Sequence, residues 1–235
     1  MNGPAGLSRH TVARFFHEAQ PWYMQRGAGY GLGLHAAAYE RCKRAFDVLI
    51  CLLFLPLVLP VLLVCGLAIK LDSAGPVFFY QLRTGKGGRR FKMHKLRTMV
   101  KDAEALKENY QHLNQLSYPD FKISDDPRIT RVGRILRRTS LDEMPQIFDV
   151  LRGDMSWVGP RPTSFSASTY SLWHTARLEV KPGITGLWQI SGRNNLNFDE
   201  RLRLDIVYLR KRSLGMDAQI MLRTVAAVFN GRGAN

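Results

Sequence analysis

Cysteine is scarce in this chain: Cys42, Cys51 and Cys65 are the whole supply, and no CxxC pair occurs. That excludes a disulfide framework and a zinc ribbon, and a reducing compartment fits. Histidine adds no metal signature, because the six are scattered without an HExxH or similar pair. The glycine-rich stretch TGKGG, residues 84–88, lacks the GxxxxGK[ST] spacing of a phosphate-cradling loop. No internal repeat or low-complexity tract is present. Acidic residues are few as well. There are 19 Asp and Glu against 34 Lys and Arg, a formal net charge of +15. Such an excess calls for an acidic partner: nucleic acid, anionic lipid or a phosphorylated ligand.

Charge is missing altogether from Val48 to Ile69. At about 1.5 Å per helical residue this run is about long enough to cross a hydrocarbon core. It starts too late and runs too long for the apolar region of a signal peptide. Pro56 and Pro60 sit in its middle. Arg41, Lys43 and Arg44 precede it, and Lys70, Arg83, Lys86, Arg89 and Arg90 follow. Cationic flanks favour the cytoplasmic side. A spanning helix would put one cluster outside, whereas a segment that returns through one leaflet keeps both inside. Each proline removes a backbone donor and crowds the carbonyl four residues earlier, which predicts a bend. From the residues alone a spanning helix, a buried core helix and a re-entrant hairpin all stay open.

What remains reads as an α/β (α+β) fold with many amphipathic helices and a small β-hairpin. Residues 1–40 form an extension, poorly ordered or lying on a surface, with one short helix near Val12–Gln20. Residues 41–72 form the membrane segment, and residues 73–235 a cytosolic, membrane-associated domain. Two β-rich stretches flank Thr84–Gly88, whose glycines suit a hairpin turn. Ala103, Leu106, Tyr110 and Leu113 share one helical face. Arg131, Arg134 and Arg138 share another, with Val132, Ile135 and Leu136 away from them. That pattern suits either a helix in a lipid interface or an ordinary surface helix. Pro182-Gly183 suits a type II turn. Two amphipathic helices, separated near Leu214-Gly215, close the chain; they could pack on the same chain or on a second copy.

The stretch RRTSLDEMPQ carries the chemistry. Ser140 followed by Glu143 has the spacing of a capping box, and Pro145 falls near the first turn of the helix it would start. Asp142 and Glu143 then sit at a helix N-terminus, which favours their ionised forms and a bound phosphate alike. Arg137, Arg138, Arg161, Lys95, Arg97 and Arg193 supply cations from neighbouring motifs. Carboxylates ringed by fixed cations suit phosphoryl transfer between anionic substrates. A carboxylate at about 4 Å from a phosphate charge is repelled by about 4 kcal/mol at an effective dielectric of about 20. Arginines and a bridging Mg²⁺ can cancel that repulsion.

Five motifs in register, KRAFD, GPVFFYQLRTGKGGRRFKMHKLRTM, DDPRITRVGRILRRTSLDEMPQ, RGDMSWVGPRP and KPGITGLWQISGRN, resemble the bacterial sugar transferases, also called monotopic phosphoglycosyl transferases or undecaprenyl-phosphate sugar phosphotransferases. The closest resemblance is to the exopolysaccharide-initiating type, over about residues 41–230. It implies an enzyme on the cytoplasmic face of the bacterial inner membrane. Such an enzyme moves a hexose-1-phosphate, from UDP-glucose or UDP-galactose, onto undecaprenyl phosphate and releases UMP. By motif position Asp142 is the nucleophile of a covalent phosphosugar intermediate and a Mg²⁺ ligand, and Glu143 assists the second half-reaction. Lys95, Arg137 and Arg161 match phosphate-binding positions, and Gln189, Arg193 and Asn194 the loop that faces the nucleotide-sugar; Arg97, beside Lys95 in HKLRTM, joins the candidate phosphate-binding cations. The resemblance also implies a helix–break–helix in the membrane. Pro60 takes the proline position of the break, Leu59 replaces the usual serine, and Pro56 is extra. Nucleic acid drops out as a partner on this reading. The alternatives, a membrane-anchored nucleic-acid binder or a scaffold without catalysis, explain the charge but not the SLDE and GPRP motifs.

Overall fold

A computed structural model describes residues 34–114, 123, 125–166, 172–192 and 196–229. The predicted extension, apart from residues 34–40, and its short helix near Val12–Gln20 lie outside the described residues. The first element, α1 (Leu34–Asp72), is one helix of 39 residues, about 58 Å long. By length and composition it could cross a membrane. Pro56 and Pro60 lie inside it, and no residue between them leaves the helix. The predicted helix–break–helix is therefore an uninterrupted helix here. Its geometry shows why two prolines are accommodated. Cys51, Val58, Leu62, Cys65 and Ile69 recur at spacings of seven, four, three and four, and all are buried. Both prolines fall on the opposite, exposed face. The carbonyls left without a helical donor, those of Leu52 and Pro56 by the i→i−4 rule, thus face away from the packed side.

The buried stripe of α1 lies on α2 (Arg131–Thr139) and α3 (Gln146–Arg152), and α3 packs in turn on β2 (Arg90–Leu96). Leu136, Ile147, Val150, Phe91, Met93 and Leu96 meet it in one apolar core. β2 is the second strand of an antiparallel hairpin whose first is β1 (Phe78–Thr84), in the register Phe78↔Leu96 to Thr84↔Arg90. The turn at Thr84–Gly88 is as predicted, with Gly87 at φ 65° and Gly88 at φ 77°, where a side chain would be strained. A second core joins β3 (Ser156–Val158), α4 (Leu187–Ser191), α5 (Phe198–Lys211) and α6 (Leu214–Phe229). The last two are the two predicted C-terminal helices. β4 (Gly183–Thr185) runs parallel to β3, so Pro182-Gly183 leads into a strand and the predicted type II turn is absent. The predicted helix through Leu106 and Leu113 is a 3₁₀ helix, Ala105–Leu113.

Both ends of α1 are pinned to this body. At the start, Asp217 of α6 accepts from Lys43 Nζ at 2.8 Å, Tyr39 Oη at 3.0 Å and Tyr208 Oη at 2.8 Å. Arg44 donates to the Val150 and Leu151 carbonyls that end α3. Asp47 accepts from the Trp157 amide at 3.2 Å. At the far end the Asp72 carboxylate accepts from the Val132 amide at 3.1 Å. Arg97 donates to the carbonyls of Ser73, Ala74 and Pro76 and to the Ser73 hydroxyl.

Replacing Asp217 by Ala should cost about 3–5 kcal/mol, because it leaves the buried Lys43 ammonium without its carboxylate, while Tyr208 keeps the Val158 carbonyl as a partner. Removing the Arg89–Asp154 pair, whose arginine is 72% exposed, should cost under about 1 kcal/mol. Denaturant unfolding of the detergent-solubilised protein compares the two.

Candidate active site

Asp142 and Glu143 fall in a 3₁₀ turn, Leu141–Glu143, between α2 and α3. The predicted capping box does not form. Ser140 is the left-handed C-cap of α2 at φ 59°, its side chain caps nothing, and only its carbonyl meets the Glu143 amide. The reason is competition: the Glu143 carboxylate has stronger donors. Arg161 grips it with both guanidinium nitrogens, and Lys95 Nζ reaches it at 2.8 Å. Pro145, at φ −60°, then opens α3.

Two neighbouring carboxylates are thereby placed in opposite states. Burial pushes Glu143 up, but the charges and hydrogen bonds of Arg161 and Lys95 together outweigh it and hold the carboxyl well below the usual range. Asp142 is 8% exposed and accepts no hydrogen bond from any described residue. Burial raises its pKa, Lys95 opposes that, the Glu143 charge adds to it, and Arg137 and Arg161 oppose it further. One carboxylate is thus locked by cations, while the other stands beside them with its oxygens unengaged.

Each cation has its own support. Lys95 comes from the end of β2. Arg137 closes α2, and its Nε donates to the Thr98 hydroxyl at 2.9 Å. Gly133 makes this possible, since a Cβ there would lie 2.0 Å from the Thr98 carbonyl oxygen. Arg161 sits in the loop after β3. Its carbonyl accepts from Arg177 at 2.6 Å, and Arg177 pairs with the buried Asp205 of α5 at 2.7 Å. The hairpin holds the same loop from the other side: the Thr84 amide donates to the Thr163 carbonyl and Arg83 to the Pro162 carbonyl. Gly159 and Gly183 let β3 and β4 approach, for a Cβ on Gly183 would lie 2.1 Å from the Gly159 nitrogen.

Of the residues named from sequence, Asp142, Glu143, Lys95, Arg137 and Arg161 converge. Arg97 does not join them, because its guanidinium donors are engaged by the chain that leaves α1. Gln189 lies on α4, where its amide donates to the Ile184 carbonyl at 3.3 Å. Arg193 and Asn194 are outside the described residues. Sequence reading missed Thr98, Arg177 and Asp205, which act through hydrogen bonds to distant segments and carry no local motif. Among the described residues no group of three His, Cys, Asp or Glu side chains could hold a metal. The single unengaged carboxylate of Asp142 still suits Mg²⁺, which is commonly held by one or two carboxylates together with substrate phosphates and water.

Gly133→Ala gains about 1 kcal/mol in helix propensity but forces α2 away from Thr98. The clash should dominate, with a net loss of about 1–3 kcal/mol, read as a lowered melting temperature.

The family model described as bacterial sugar transferase matches residues 38–231. The galactosyl transferase CpsE of Streptococcus agalactiae serotype III is 46% identical over 74% of this chain, although the chain spans only 40% of that protein. The exopolysaccharide production protein ExoY of Sinorhizobium fredii is 40% identical, with 82% of this chain and 87% of the relative covered. The UDP-glucose:undecaprenyl-phosphate glucose-1-phosphate transferase of Caulobacter vibrioides is 40% identical over 83% of this chain and 73% of its own length. With the motifs in order and the matched span running from α1 through α6, the chain belongs to the bacterial sugar transferase family.

Proposed function

We propose that this protein transfers a hexose-1-phosphate from a UDP-sugar to undecaprenyl phosphate, with release of UMP, as the initiating step of exopolysaccharide synthesis. The observation that carries the reading is the contrast between Asp142, unengaged and facing three cations, and Glu143, locked by two of them. The relatives' names point to glucose or galactose as the sugar.

An Asp142 carboxylate oxygen attacks the sugar-bearing phosphorus, and the bond from that phosphorus to the bridging oxygen breaks. The electron pair leaves with UMP, and an aspartyl phosphosugar remains. Arg137, Arg161 and Lys95 bind the diphosphate and offset its repulsion of the carboxylate. As Arg161 and Lys95 turn to the diphosphate, Glu143 loses the charges that depress its pKa and becomes a better proton acceptor. It can then take a proton from the incoming lipid phosphate. A phosphate oxygen of the lipid attacks the same phosphorus, the aspartyl–phosphorus bond breaks, and Asp142 is regenerated. Asp142 would be the residue to hold Mg²⁺, and the ion would supply positive charge against that developing on the leaving phosphate.

The membrane arrangement follows from α1. Both of its ends and its buried stripe are bound to one body, which supports a helix lying along that body at one face of the membrane, with its two ends on the same side. The flanking cations favour the cytoplasmic face. The outward face, with Leu49, Leu53, Leu57, Leu63 and Leu67 exposed, is the surface that meets lipid.

Asp142→Asn should lower UMP release by at least ~10³-fold in a fold that stays intact, and mass spectrometry should find no phosphosugar adduct. Glu143→Gln should still form the adduct but slow its discharge to lipid by about 10²–10⁴-fold. Full UMP release by Asp142→Asn, across a panel of UDP-sugars with undecaprenyl phosphate, would remove the nucleophile from the scheme. For topology, single cysteines at Ala38 and Ala74 in an otherwise cysteine-free chain should both be protected from an impermeant reagent in intact cells. Labelling of one alone would mean that α1 spans the bilayer.

A further inference from the structure

Phe78, Phe79 and Tyr80 are consecutive on β1 and are 38%, 43% and 53% exposed. Side chains alternate between faces along a strand, so these rings do not share one role. Tyr80 lies opposite His94 and meets its ring edge-on at 4.9 Å. Phe79 points to the other face, directly across the ladder from Lys95. Side chains so paired have Cβ atoms about 4.5–5.5 Å apart. Lys95 is the residue whose ammonium holds Glu143 and whose charge acts most strongly on Asp142. An exposed apolar ring therefore stands beside the stem of Lys95, one side chain away from the reacting carboxylates. A nucleotide phosphate gains nothing from such a ring.

The surface around it shows what does. β1 begins six residues after α1 ends, and the outward face of α1 at that end carries Leu67 and Leu71, both exposed. The connection folds back along the helix, since a Cβ on Gly66 would lie 3.2 Å from the Val77 side chain. Arg97 clamps residues 73–76 in that course. Exposed apolar side chains thus stand at both ends of this short connection, Leu67 and Leu71 on the outward face of α1 and Phe79 on the strand that follows.

We propose that Phe79 binds the isoprenoid chain of the lipid acceptor and seats its first units against the hairpin while the lipid phosphate faces Asp142. This rests on the transfer reaction proposed above. Phe79 is then a residue that selects a polyprenyl phosphate over a water-soluble one.

Steady-state kinetics on the full-length protein in nanodiscs, with UDP-sugar and undecaprenyl phosphate varied in turn, tests this. In Phe79→Ala the KM for undecaprenyl phosphate should rise about tenfold more than the KM for UDP-sugar, and Phe79→Leu should restore most of the loss. Leu82→Ala, exposed on the same strand but on the opposite face, should leave the ratio of the two KM values where it is in the wild type. A rise in the UDP-sugar KM instead would mean that Phe79 stacks on the base. An equal rise in both would mean that it only supports the fold. A lipid effect as large in Leu82→Ala would mean that the strand is a general membrane contact. Each of these overturns the proposal. If the wild type releases no UMP, the transfer reading falls and takes this one with it. If the wild type turns over normally and the lipid KM of Phe79→Ala is unmoved, only the inference about Phe79 falls.

Discussion

Glu143 is held by two cations that arrive from separate parts of the chain, Lys95 from the hairpin and Arg161 from the loop after β3. The three-way ion pair closes a ring of elements around Asp142. Loss of one partner would leave a poorly hydrated charge facing Asp142, and removal of one member of such a pair is among the more damaging changes available. The supports behind it follow the same logic. Thr98 fixes Arg137, Arg177 fixes the Arg161 backbone, and the hairpin base fixes the segment just beyond. The site is thus a set of charges positioned by ion pairs with one another and by contacts with carbonyls and hydroxyls.

The locked state of Glu143 also explains how adjacent acids can differ. They share one turn of backbone, yet only one has donors within reach. The difference arises from where β2 and the proline-flanked loop end, not from the acids themselves. On the proposed mechanism substrate binding redistributes the same cations, and the two carboxyls exchange character without any large movement of the chain.

Much of this was legible from residue order. The apolar run, the hairpin turn with its glycines, the two final helices and the convergence of Asp142, Glu143, Lys95, Arg137 and Arg161 all follow from local pattern or motif. What sequence misjudged depended on distant partners. Ser140 and Glu143 have capping-box spacing, but Arg161, eighteen residues on, claims the carboxylate. Pro182-Gly183 has turn chemistry, but Gly159 across the parallel pair needs the glycine for close approach. Arg97 lies in a cationic motif, but the backbone between α1 and β1 saturates it. In each case a long-range hydrogen bond or a steric limit overrode a local preference.

The outward prolines of α1 set a limit on depth. Leu52 and Pro56 each offer a backbone oxygen whose partner four residues on is a proline with no amide hydrogen, on the side turned away from the protein. Hydrocarbon has no donor for them, and an unanswered carbonyl there costs several kcal/mol. Water and phospholipid headgroups do have donors. On the proposed membrane arrangement the middle of the longest helix would therefore be drawn toward the polar boundary of its leaflet, and the protein would ride shallow.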